Sequence, residues 1–200
     1  DCRHVTVKVL TNSIQTTDLN VVNIAARQSI KAFVDHRKQA NKAERSAQFY
    51  YYEYLPQSLT ADGRPDQSLH TKVMIFGSDI YIGSANADIR SYMMDSNNGF
   101  YIQNAPELII RYTAWLESMM ANPSRTRDAT AYFATVEREQ MEAEDLQVLR
   151  AIMERYDIKR WIDDPVQIQL LETYYGGLLN TIYELSLGSL QPGSAGRKPQ

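Results

Sequence analysis

Residues 1–104 of the sequence predict an α/β fold, a mixed β-sheet flanked by helices; residues 105–186 predict a helical C-terminal region, and 187–200 a disordered tail. Three observations predict this. Short β-prone segments fill the first half, a helical segment with an apolar stripe interrupts them, and beyond Asn104 the hydrophobic period lengthens from two to that of a helix. A chain of 200 residues accommodates one ordinary core with such an extension.

Val5 to Leu10 alternates β-branched residues and predicts the first strand, ending at the polar turn Thr11-Asn12-Ser13. Asp18 is a candidate N-cap for a helix whose Val21, Val22, Ile24, Ala25, Ile30, Phe33 and Val34 form one apolar face. Asp35 to Ser46 is charged and solvated. Phe49 to Leu55 is aromatic and β-prone, and Pro56 stops it. Pro56 to Gln67 reads as a turn-rich loop. Leu69 to Phe76 predicts a third strand, paired as a hairpin with Ile80 to Ile82 across Gly77-Ser78-Asp79, and Gly99 to Ile102 a further strand. Pro106 to Met120 predicts a helix, Arg125 to Tyr156 a long or broken one, and Asp164-Pro165-Val166-Gln167 the capped start of a last helix reaching about Leu185.

The formal charge of −3 argues against the broad basic surface that drives non-specific nucleic-acid binding. Residues 1–100 hold 11 Lys+Arg against 10 Asp+Glu and residues 101–200 hold 10 against 14, so a bound anion belongs in the first half. No stretch approaches the roughly 20 apolar residues of a membrane-spanning helix, so lipid contact is expected to be peripheral. Cys2 has no partner for an internal disulfide, and the start at Asp1 suggests a processed or excised chain.

The chemistry concentrates in Ser68 to Ser91, S-L-H-T-K-V-M-I-F-G-S-D-I-Y-I-G-S-A-N-A-D-I-R-S. On a strand His70 and Lys72 point to the same face while Thr71 points away. The second hairpin strand ends in Gly83-Ser84-Ala85-Asn86, where glycine permits close backbone approach and the Ser84 hydroxyl and Asn86 amide can donate to phosphate oxygens. Lys72, Ser84 and Asn86 could then stabilise negative charge on a phosphodiester while His70 attacks phosphorus, with no metal or other cofactor required. Taken singly, H-x-K is more often a half-exposed strand face and G-S-x-N a common turn.

The order and spacing resemble the H-K-D motif of the phospholipase D superfamily, in which histidine, lysine and aspartate precede a G-S-x-N turn. Asp88, Arg90 and Ser91, as N-x-D-x-R-S, are similar to the cardiolipin synthase and phosphatidylserine synthase branch, as is Leu10 to Asp18, L-T-N-S-I-Q-T-T-D. The resemblance covers about residues 5–103. It implies a phospholipase D-like half-domain performing two-step phosphoryl transfer through a phosphohistidine on His70, with a histidine from another half as general acid and base. Only one half is present here. The second is expected from a missing N-terminal half, the favoured source, or from a homodimer. The resemblance adds Asp79 to the catalytic candidates and places Asn12 and Arg90 beside Gly83 as substrate-binding. It implies a phospholipid substrate and a membrane-associated bacterial protein.

Two positions depart from the family pattern. The aspartate expected five residues after the lysine falls on Gly77, with Asp79 nearby as its substitute; the carboxylate expected after R-S-x-x-x falls on Asn97, with Asp95 two residues away. Retained but weakened catalysis is the expectation. His4 and His36 read as structural or surface residues, Tyr50, Tyr51, Tyr52 and Tyr54 as core on one strand face, and Glu137 to Glu144 as a solvated helix face. The competing functions are a hydrolase releasing phosphatidic acid, a nuclease, disfavoured by charge, and a non-catalytic half-domain binding a protein partner.

Overall fold

The computed structural model describes residues 5–17, 20–39, 47–58, 65–86, 96–155 and 165–190. In chain order the elements are β1 (Thr6–Asn12), α1 (Asn20–Gln39), β2 (Gln48–Tyr54), β3 (Val73–Phe76), β4 (Asp79–Gly83) and β5 (Gly99–Ile102). There follow α2 (Pro106–Met120), β6 (Thr126–Asp128), α3 (Thr130–Thr135), α4 (Arg138–Arg155) and α5 (Pro165–Ser189). The α/β class is as expected, with a helical C-terminal part.

The sheet is not one but two. β1 pairs parallel with β2, and β2 antiparallel with β6, giving a mixed sheet in the order β1-β2-β6. β3, β4 and β5 form a separate antiparallel sheet. The chain leaves strand geometry over residues 67–72, and it meets β1 through a side chain rather than a backbone ladder, so the sheets do not merge. The span 125–156, expected to be helical, opens with β6. Thr126-Arg127-Asp128 has no strand pattern of its own and becomes a strand by pairing with Tyr54, Glu53 and Tyr52.

Odd-numbered residues of β1 and β2 face α1 and α3. Val9, Phe49 and Tyr51 pack with Ile30, Val34 and Phe133, and the Phe33–Phe49 and Tyr51–Phe133 rings meet edge to face at 4.9 and 5.0 Å. On the opposite face Lys8 reaches Glu117 of α2 at 2.9 Å. A second cluster joins Ile14 and Ile24 to Leu179 of α5, so the last helix packs along α1. The helix outlasts its expected end at Leu185, whereas the candidate caps Asp18 and Asp164 lie outside the described residues.

Charge is buried where an apolar helix face was expected. Arg27, 4% exposed, bonds Asp145 through Nε at 3.0 Å and Glu53 through Nη1, and Glu53, 1% exposed, also accepts from Arg127. The Arg27 guanidinium lies 5.5 and 5.0 Å from the Tyr132 and Phe133 ring centres. Burial pushes the Asp145 carboxyl up to about 6, only partly offset by Arg27, while the neighbouring Glu53 pushes it further. Four elements, α1, β2, β6 and α4, are tied together at this point. In Glu137 to Glu144, Glu137 and Glu139 are exposed as expected, but Met141 is buried and Glu144 accepts from the Tyr132 hydroxyl at 2.6 Å.

Candidate active site

The site candidates gather where the parallel pair β1–β2 ends, the position at which α/β sheets commonly bind ligands. The turn after β1 is held from inside. The Ser13 amide donates to the Tyr54 carbonyl at 3.0 Å, and the buried Thr16 hydroxyl bonds the same oxygen at 3.0 Å. Asn23 of α1 then donates to the Asn12 carbonyl at 2.9 Å. With its backbone so fixed, Asn12 turns its amide outward.

That amide does not face open solvent as a substrate ligand would. Its Nδ2 donates to the Leu69 carbonyl at 2.8 Å and its Oδ1 accepts the Leu69 amide at 2.7 Å, so both ends are spent on one peptide unit. Asn12 thus imitates a strand neighbour for the residue just before His70. A second tether, Tyr54 hydroxyl to Gln67 Oε1 at 3.1 Å, holds the same segment. Asn12, expected from sequence to bind substrate, has both amide atoms engaged by Leu69 in this structure.

His70 is exposed, and Lys72, half-buried, folds its Nζ back to the His70 carbonyl at 3.1 Å. Neither lies in a strand proper. The Gly83 amide nevertheless donates to the Lys72 carbonyl at 3.1 Å, which continues the Val73–Ile82 register by one pair. Lys72 therefore stands opposite Gly83 and next to Ser84. The Ser84 hydroxyl accepts the Asn98 amide at 3.0 Å, while its proton is directed to Asn97 Oδ1 at 3.1 Å and the Asn98 carbonyl at 3.3 Å. Turning that proton to an anion keeps the Asn98 bond. Asn97, at the position where the family pattern expects a carboxylate, is thus in contact with Ser84. Asn86 is exposed in the loop beyond.

Asp79 is not part of this gathering. It pairs with Phe76 across the turn, three register steps from Val73 and so roughly 10 Å away along the strand at about 3.4 Å per residue. Its carboxylate accepts the Tyr101 hydroxyl at 2.6 Å and the Asn104 amide at 3.0 Å, and these two donors hold it below the usual carboxylate range. The loop consists of Gly77 and Ser78 alone, and Gly77 takes a φ of 61° that a two-residue hairpin demands and glycine supplies without strain. Asp79 anchors the turn and β5; it does not reach His70. Arg90 and Asp95 lie outside the described residues.

Gly83 has a different neighbour from the one expected. It pairs with Gly99, and the Tyr81 ring lies over both: an added Cβ on Gly83 would stand 2.7 Å from Tyr81 Cζ, and one on Gly99 2.6 Å from its Cε2. The glycines make room for an aromatic ring. Tyr81, Gly99 and Asn98 were not singled out by sequence, although the cross-strand register of two glycines beside an aromatic residue carries the signal.

Against this geometry, the family model described as cardiolipin synthase, PLD-like domain matches residues 1–120. The chain belongs to this family. The match spans both sheets' first five strands and α2, and with it phospholipid-related phospholipase D superfamily chemistry is the setting in which His70 and Lys72 are to be read. No curated protein and no solved structure matches the chain. No helix among the described residues is long and apolar enough to cross a membrane.

Proposed function

We propose that the chain supplies one half of a phosphatidyltransferase site that makes cardiolipin-like lipid from a phosphatidylglycerol-type donor. One observation supports the reading: the Lys72–Gly83 backbone pair, which brings Lys72 alongside the strand end that carries Ser84, with the Lys72 Nζ on the carbonyl of His70 two residues upstream. In this reading Lys72, Ser84 and Asn86 hold the phosphate oxygens, and the His70 imidazole attacks phosphorus. The leaving alcohol takes a proton from the histidine of a second half, and a phosphatidyl-histidine remains. The hydroxyl of an acceptor lipid gives its proton back to that second histidine, attacks phosphorus and frees His70. The second half comes from an N-terminal partner in a longer polypeptide or from a second copy, and membrane contact is peripheral.

Incubating the intact protein with phosphatidylglycerol and resolving the lipids tests the reading. Cardiolipin supports transfer, phosphatidic acid alone supports hydrolysis, and neither sinks both. His70→Ala is expected to abolish product.

A binding-module reading is favoured by a separate observation. Asp79 is engaged with Tyr101 and Asn104, and Asn97 stands where a carboxylate is expected, so no described carboxylate orients a histidine here. Retained phospholipid binding without any turnover would select it.

A further inference from the structure

One face of the second sheet carries an apolar groove of about 270 Å³ lined by Met74, Phe76, Tyr81, Ala85 and Tyr101. Strand alternation places Lys72, Met74 and Phe76 on one side of the hairpin, with Gly83 and Tyr81 opposite them and Gly99 and Tyr101 beyond. The groove and the Lys72 end of the candidate site therefore share a face. They are also continuous. Ala85 lies between Ser84 and Asn86, and the Tyr81 ring, resting over Gly83 and Gly99, forms the border between them.

Both walls are fixed. Tyr81 has its place because two paired glycines vacate it, and Tyr101 is held by its bond to Asp79. Phe76 and Tyr101 are 59% and 56% exposed, so the groove opens to solvent. Polarity runs in order from an ammonium at one end through about four residues of apolar strand to the Asp79 carboxylate, bonded by the Tyr101 hydroxyl, at the other. The molecule that matches this sequence has a phosphate at one end and hydrocarbon next to it. A second copy of the chain has no reason to place an anion at Lys72 and apolar groups along the strand.

We propose that this groove takes the acyl-glycerol part of the phospholipid whose phosphate the half-site binds. The inference rests on the phospholipid reading above, and it gives Asp79 and Tyr81 a task as groove positioning residues. The test is photolabelling of the intact protein with a short-chain phosphatidylglycerol, kept monomeric, that carries a diazirine at the end of one acyl chain. Adducts are expected on residues 73–85 and 99–102, suppressed about ten-fold by excess unlabelled lipid and far less by glycerophosphoglycerol, which lacks the chains that drive apolar burial. Met74→Trp, which fills the groove, should cut labelling several-fold with an unchanged unfolding midpoint; the parent labelling pattern decides the matter if that variant does not fold. Adducts confined to other surfaces, such as Ile110 and Trp115 of α2, overturn the proposal. So does absence of labelling in a protein that sediments as a dimer, which assigns the groove to a second copy. Groove labelling in a protein without turnover sinks the transferase reading and keeps the groove; turnover without groove labelling does the reverse.

Discussion

The two sheets treat charge in opposite ways. The first encloses it: Arg27, Glu53 and Asp145 are 4%, 1% and 1% exposed and satisfy one another across three elements. The second displays it: His70, Ser84 and Asn86 are exposed, Lys72 is half-buried, and their bonds are to nearby backbone or loop groups that a ligand can replace. A buried ion pair has little freedom and contributes specificity of arrangement, whereas an exposed cation keeps the freedom to meet a substrate. The first sheet is a frame, and in the proposed function the second is the working surface. Asn12, with the Tyr54–Gln67 bond beside it, joins the end of one to the segment leading into the other.

The largest effect is expected from breaking the frame. Arg27→Met leaves Glu53 and Asp145 buried with too little positive charge, and should cost about 3–5 kcal/mol in denaturant unfolding. Residual activity should follow the folded fraction. If stability falls by less than 1 kcal/mol on the order-of-magnitude scale of surface pairs, the cluster is not the frame.

Next comes pH. The folded Asp145 carboxyl is raised to about 6, above its ordinary value, so the protonated form is favoured by the fold. Its contribution is fully present below the unfolded carboxylate range and lost as pH rises through about 6. Asp145→Asn should remove that dependence. Parent minus variant stability should therefore fall by on the order of 3 kcal/mol between pH 4 and pH 7, read from parallel unfolding curves. A flat difference would remove the account of that carboxyl.

The link between sheets should cost less in stability and more in rate. Asn12→Ala deletes two hydrogen bonds to the Leu69 peptide, on the order of 1–2 kcal/mol. It is expected to lower kcat about ten-fold or more with little change in KM, because His70 is displaced while the phosphate groups remain. Equal changes in both would make Asn12 a ligand after all. Smallest is Gly99→Ala, whose Cβ meets the Tyr81 ring; a loss of about 1 kcal/mol should be recovered in the double variant with Tyr81→Ala, as a cycle of unfolding measurements would read.

What sequence reveals follows the same division. Period-two valines and aromatics disclosed β1 and β2, and Gly77-Ser78 disclosed the hairpin, because those signals are local. The frame's charges were not legible: Arg27 finds Glu53 across 26 positions and Asp145 across 118, and no local pattern spans that separation. Glu53 alone offered a cue, a carboxylate on the Tyr51 face of an aromatic strand, which calls for a buried cation. β6 was hidden because pairing with β2, not composition, makes it a strand. In the site, the sequence grouped His70, Lys72, Gly83 and Ser84 at one end of a hairpin, but its three-residue turn did not give the Lys72–Gly83 pairing, which follows from the two-residue loop. It misplaced Asp79, since closeness in sequence to a hairpin turn means distance from the hairpin's open end.

The central claim is that the open end of the β3–β4 hairpin carries the nucleophile. Mixing the intact protein with phosphatidylglycerol labelled in its phosphate, quenching in alkali and mapping the adduct by peptide mass spectrometry tests it most directly. The account predicts an acid-labile, base-stable adduct on His70 that is lost in His70→Ala. Turnover with no adduct there, or with the label on another residue, would contradict it.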